Sequence, residues 1–284
     1  MKKRRAYRLA TCLIMMTSAS CFAEADVTGR VGLITGASGE LAYMPRLRAI
    51  RSLAEESPLS AEELPPLTNY LRAPDPEGTD EMEMAALKND LIEHLIQKGE
   101  GSGRLAQDLL DMQADAALSQ TWRDYCIQFM EPVYAKTPDT ALRTELRERL
   151  YQLMDSPLPQ TCGTALLALS ALSDNPEMDS VRVAARSLAL ARDGKNTDGL
   201  RLSALQVAAR TGQPSAAVAT AREWLAVEKS VNLKAVAIGV LGKYGTSGDK
   251  ELVRPYLDHA DPRLSASARA ALGLPRVQRL PPQP

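Results

Sequence analysis

The sequence predicts an all-α protein, an α-solenoid of about five to six stacked antiparallel helix pairs following a cleaved signal peptide. Three observations carry this. Aromatic residues are only 4% of the 284, with two Phe and two Trp, too few for the aromatic and β-branched core of a β-sandwich or barrel. Capping residues, prolines and glycines punctuate apolar runs at helical spacing, and no segment alternates as a strand does. One apolar pattern also recurs with a period in the low thirties, the spacing of helix-pair repeats. Hydrophobic residues at 45% and charged residues at 24% fit a folded chain and argue against disorder.

The amino terminus reads as an export signal. Lys2, Lys3, Arg4, Arg5 and Arg8 form a basic region, Leu9 to Met16 an apolar stretch, and Ala23-Glu24-Ala25 a small-residue cleavage site. The apolar run is too short for a membrane span, which takes about 20 residues. A twin-arginine signal at Arg4-Arg5 and lipoprotein cleavage before Cys21 rank below general export. The expected location is periplasmic or secreted, with residues 1–25 as signal and 26–39 as an entry segment. Cleavage after Ala23 leaves 29 basic against 35 acidic residues, and Cys126 and Cys162 as the only cysteines.

The repeat domain is expected over 40–273. Glu40 to Glu56 reads as its first helix. Ser60-Ala61-Glu62-Glu63 is a capping box, with Leu59 and Leu64 placed as a hydrophobic staple. Helix pairs follow at 60–73 with 80–98, 103–113 with 117–135, and 139–155 with 161–174. Thr137-Pro138 and Asp261-Pro262 place a cap residue before a proline at the first helical position. Gly99, Gly194, Gly212, Gly245 and Gly273 fall where helices stop.

The last pairs share a pattern. Leu200, Ala204, Val207 and Ala208 fall on one helix face, as do Leu233, Ala237, Val240 and Leu241, and then Leu264, Ala268, Ala271 and Leu272. Ala165, Leu169 and Leu172 form a weaker copy upstream. Partner helices are expected near Asp179–Arg192, Ser215–Lys229 and Asp249–His259. Alanine at inward positions lets helices approach closely, so few aromatics are needed. The tail over 274–284, rich in proline, cannot continue a helix.

The segment from Asp261-Pro262 through Leu264 and Ala268 to Ala271-Leu272-Gly273 resembles the second helix of a HEAT repeat. Ser265 departs from that family's usual basic residue, which Arg201 and Lys234 keep. The resemblance is good over 198–273, weaker over 139–197, and rests on helix pairing before that. It implies stacked helix pairs forming a binding surface for other proteins, and so a non-catalytic interaction scaffold or adaptor in the cell envelope with an unnamed protein partner. A small-ligand-binding or lyase-like accessory on the same repeats is the alternative.

Little chemistry is encoded. Thr35-Gly36-Ala37-Ser38-Gly39 is similar to a dinucleotide-binding turn. However, Pro45 lies in the following helix and no second strand with an acidic end follows, so Ser38 reads as a simple helix cap. His94 and His259 are the only histidines; with two distant cysteines they make no metal-ligand cluster, and His259 near a helix end suits the dipole. No Gly-x-Ser-x-Gly elbow occurs. No enzyme activity, catalytic residue, metal or cofactor is expected, and the protein is expected to be a monomer.

Two features point further. Cys126 and Cys162, 36 residues apart on adjacent second helices, are expected to form a disulfide between repeats, with two buried thiols as the alternative. Charge is uneven: residues 55–100 carry 3 basic and 12 acidic residues, 101–180 carry 6 and 12, and 181–284 carry 16 and 8. In stacked repeats sequence order is spatial order, so Arg201 with Lys234, and Arg210 with Lys243, are expected to form a basic ladder for an anionic partner. Ordinary solvated surface is the alternative. Nucleic acid is a poor candidate for an exported chain of net negative charge.

Overall fold

The computed structural model describes residues 29–36, 39, 42–53, 59–60, 62–99 and 102–275, and all of its regular structure is helical. The signal-peptide expectation, the Ser38 cap and the last nine residues of the tail lie outside these residues. Residues 29–35 are helical (α1) and precede α2 (Tyr43–Leu53), α3 (Leu64–Arg72), α4 (Glu81–Lys98), α5 (Ser102–Ala114), α6 (Gln120–Lys136) and α7 (Thr140–Met154). Then come α8 (Pro159–Ala171), α9 (Ser180–Arg192), α10 (Asp198–Arg210), α11 (Pro214–Val227), α12 (Val231–Tyr244), α13 (Ser247–Val253) and α14 (Pro262–Ala271). The chain divides into two compact units, Met1–Arg143 and Thr144–Pro284. No helix among the described residues is long and apolar enough to cross a membrane.

Local chemistry sets the helix ends. Asp80 accepts from the amides of Met82 and Glu83 to start α4, and Gly99 stops it at φ +73°, a left-handed conformation that costs glycine little. The Ser60–Glu63 box is formed in both directions, at 2.8 and 3.2 Å. Asp261 caps α14 with Pro262 at the first helical positions, as the sequence implies. Thr137 does not start α7. Its hydroxyl donates to Val133 O inside α6, and Asp139 takes the capping role by accepting from Ala141 and Leu142 N–H. The helix expected over Asp249–His259 is shorter: after α13 a 3-10 turn runs over Arg254–Tyr256, because Pro255 has no N–H to continue the α pattern.

In the first unit α4 packs against both α2 and α6, while α3 contacts α4 and α5, and α5 packs on α6. In the second unit α10 packs against α8 and α12, and α12 against α14, giving a layer of every second helix. The intervening α9 and α11 contact each other and lie against α10 and α12. The recurrent apolar positions build this core. Leu200, Ala204, Val207 and Ala208 in α10 are buried, as are Leu233, Ala237, Val240 and Leu241 in α12 and Leu264 with Ala268 in α14. Ala271 and Leu272 are only half-buried. Alanines at the contacts keep the helices close, and the large buried rings among the described residues of this unit are Trp224, 2% exposed, and Tyr151 of α7.

The first unit instead packs around two buried cations. Arg46 is fully buried; its Nε and Nη2 donate to Ile34 O at 3.0 and 2.9 Å, and its Cζ lies 5.0 Å from the Tyr70 ring centroid. Lys88 Nζ donates to Ala73 O at 2.7 Å and pairs with Asp75 at 2.8 Å, 5.6 Å from the Trp122 ring. Trp122 Nε1 donates to Leu71 O at 3.1 Å. Burial pushes the Tyr70 hydroxyl up to about 12. A buried charge is tolerated when paired and hydrogen-bonded, and these side chains use that bonding to tie α1, α2, α3, α4 and α6 together.

Candidate interaction surface on the second unit

The outward side of the α8–α10–α12–α14 layer carries small and polar side chains at helical spacing, with a cation at the end of the α10 and α12 stripes. Gly199, Ser203, Gln206 and Arg210 follow one stripe of α10, and Ala235, Gly239 and Lys243 one stripe of α12. Two grooves run between these ridges. One, of about 510 Å³, lies between α8 and α10 and is lined by Gln160, Gly163, Thr164, Leu167, Gly199 and Ser203, among others. The next, of about 440 Å³, lies between α10 and α12 and reaches Ser267 of α14. No acidic residue lines either groove. Leu167 is 48% exposed at the first, and Gln206, Arg210, Gly239 and Lys243 form an exposed rim on the second. Glycine matters here: a Cβ at Gly239 or Gly199 would meet nothing within 4 Å, so the ridges are low by composition and not by crowding.

The four expected ladder residues separate. Arg201 is not a surface cation. It is 8% exposed, donates to Ala191 O at 3.1 Å, pairs with Glu228, and stacks with its Cζ 5.0 Å from the Trp224 ring. Its planar guanidinium fills a gap between helices, so its role is packing. Lys234, at the start of α12, is half-buried. Arg210 and Lys243 are exposed in the last turns of their helices, and both line the α10–α12 groove. Neither pairs with a carboxylate among the described residues, whereas Arg182, Arg186, Arg222, Arg254 and Arg263 of the same unit all do. Lys243 Nζ lies 5.1 Å from the Tyr244 ring.

The expected disulfide is not formed. Cys126 and Cys162 are free thiols, each buried within its own unit. Cys162 Sγ donates to Met154 O at 3.0 Å, and burial pushes both thiols above their ordinary range. A shared repeat phase fixes the helix face a cysteine occupies but not where its sulfur points, and both sulfurs are used in local packing.

Ionisable groups elsewhere serve the fold. Asp249 accepts from Arg222 at 2.5 and 2.9 Å and from Thr246 N and Oγ1 at 2.7 and 2.8 Å, and the Arg222 guanidinium above all holds its carboxyl well below the usual range. His94 is buried in α4. His259 Nδ1 accepts from Asp261 N–H at 3.0 Å, just ahead of α14. No cluster of three metal-ligating side chains occurs among the described residues. Sequence reasoning missed the grooves, since neutral residues such as Gly163, Ser203 and Gly239 carry no motif; the signal was the recurrence of small residues at helical spacing outside the apolar stripe. No protein-family model matches this chain, and no curated protein does.

Proposed function

We propose that the protein is a non-catalytic protein–protein interaction scaffold of the cell envelope, a HEAT-like α-solenoid that holds its partner on the outward side of the α8–α10–α12–α14 layer. The observation that carries this is the pair of adjoining grooves along that layer, lined by small side chains over consecutive repeats. A partner chain can lie across such a face with little steric obstruction. The regular apolar stripes behind it supply a rigid support at low entropic cost on binding. The resemblance of 261–273 to a HEAT helix and the basic-then-apolar amino terminus support the fold name and the location. A small-ligand site draws less support, because it normally encloses its ligand with convergent polar groups, and these grooves are rimmed by exposed residues.

A photo-crosslinking amino acid at Gly239 or Ser203, in the full chain expressed in its native cell, tests the face. The expected result is a discrete adduct from both positions. Val181 and Glu223, exposed on α9 and α11, are expected to give none. Adducts from Val181 or Glu223 alone, or from no position, would overturn the assignment. Mass spectrometry of the adduct names the partner, and fractionation of the same cells tests the location.

A further inference from the structure

We infer that the α10–α12 groove receives an acidic, extended peptide segment of the partner, with its carboxylates against Arg210 and Lys243. This rests on the interface proposed above and adds the chemistry of its occupant. Arg210 and Lys243 stand 33 residues apart in sequence, in the last turns of alternate helices α10 and α12, on the same groove. Their charges are not neutralised by neighbouring carboxylates, while the other arginines named above spend theirs on Asp155, Asp249, Glu251 and Asp261. With no acidic residue in the lining, the groove has a single sign of charge, which selects an anionic partner and rejects a cationic one.

The rest of the lining fits a peptide. Gln206 and Ser267 offer hydrogen-bonding groups for an extended main chain, whose amides and carbonyls need partners once removed from water. Val236 and Val240 supply an apolar floor for a small aliphatic side chain, and Gly239 leaves room for the peptide backbone to come close. Single-stranded nucleic acid, the other extended polyanion, is recognised by stacking on successive aromatic rings; Tyr244 is the only ring in this lining.

Selection from short random peptides displayed on phage, against the purified full chain and its Arg210→Glu/Lys243→Glu variant, tests the inference. Lys195→Glu/Lys250→Glu, with the same change of charge at exposed sites away from the groove, is the control. Peptides with two or more Asp or Glu are expected to be enriched by the unmodified chain and the control. Their affinity is expected to fall about tenfold or more on the groove variant, and to weaken as salt rises. If the Glu pair fails to fold, Arg210→Gln/Lys243→Gln serves the same comparison. Neutral or basic winners, no winners, acidic winners indifferent to the groove variant, or tighter groove-dependent binding of oligothymidylate would each overturn the inference. Loss of the acidic preference with crosslinking at Gly239 intact removes this inference alone; loss of crosslinking removes the interface as well.

Discussion

Two glycines of α12, three residues apart, are expected to respond to alanine with opposite signs. A Cβ at Gly239 meets nothing within 4 Å, while a Cβ at Gly242 falls 2.3 Å from Ala271 Cβ, 2.6 Å from its Cα and 3.1 Å from its carbonyl oxygen. Replacing glycine by alanine in a helix interior is worth about 1 kcal/mol through the unfolded chain's lost freedom. Gly239→Ala keeps that gain, so it is expected to stabilise the second unit by about 0.5–1 kcal/mol. Gly242→Ala has the same gain and a steric cost. Carbon atoms in contact normally sit about 3.5–4 Å apart, so α12 and α14 must part by more than about 1 Å at this crossing. Overpacking of this kind costs about 1–3 kcal/mol, and backbone atoms among the clashing groups put this case at the upper end. The net expectation is a loss of about 1–2 kcal/mol, and a separation between the variants of about 1.5–3 kcal/mol.

Urea unfolding followed by far-UV circular dichroism and tryptophan fluorescence measures it, with Trp224 in α11, packed on α12, as the probe within the second unit. Ala271→Gly added to Gly242→Ala is expected to recover part of the loss, since it removes the nearest contact and leaves the one to Cα. A Gly242→Ala protein as stable as Gly239→Ala would refute the close crossing, and with it the reading that small residues set the helix spacing in this layer.

Two further outcomes follow from the buried polar groups. Asp249, 2% exposed, has its folded pKa depressed by Arg222 and Thr246, so its contribution is present above the unfolded carboxylate value near 4 and lost as pH falls. Asp249→Asn is expected to cost about 1–3 kcal/mol at neutral pH and to flatten the acid limb of stability against pH; an unchanged acid limb counts against the Arg222 pair. Cys126 and Cys162 are expected to resist maleimide in the native protein and to react together once urea unfolds it. A mass lower by two hydrogens under non-reducing conditions, or rapid native labelling, contradicts the buried thiols.

The helices were legible because their signals are local. The Asp80 and Asp261 caps, the Gly99 stop and the Ser60–Glu63 box depend on residues within one turn of each other, and each is formed. The apolar stripe was legible because it repeats, and it weakens at Ala271 and Leu272, which are only half-buried. Thr137 illustrates the limit. Thr137 and Asp139 are both good caps, and the proline between them favours the first, but the Thr137 hydroxyl is held by α6. Gly245 does end α12, as its place in the sequence implies, but at φ −81° and not in the left-handed region. A Cβ there would lie 2.4 Å from Leu241 O and 2.8 Å from Asp249 Cβ, so what excludes a side chain is space.

Charge was the least legible feature, for a reason that also sharpens the candidate site. A count over 181–284 finds an excess of basic residues, but what another molecule senses is the charge left after internal pairing. That pairing reaches across helices: Arg201 of α10 meets Glu228 at the end of α11, and Arg222 of α11 meets Asp249 of α13. In sequence Arg201 and Arg210 differ only by their place in the same helix. The nine-residue offset turns one toward Trp224 and the α9 carbonyls and leaves the other on the outward stripe. The expected four-residue ladder therefore reduces to two exposed cations and one half-buried lysine. The two that remain share a groove lined by no acidic residue, and the proposed selectivity of the second unit's surface rests on this coincidence, not on the excess of basic residues.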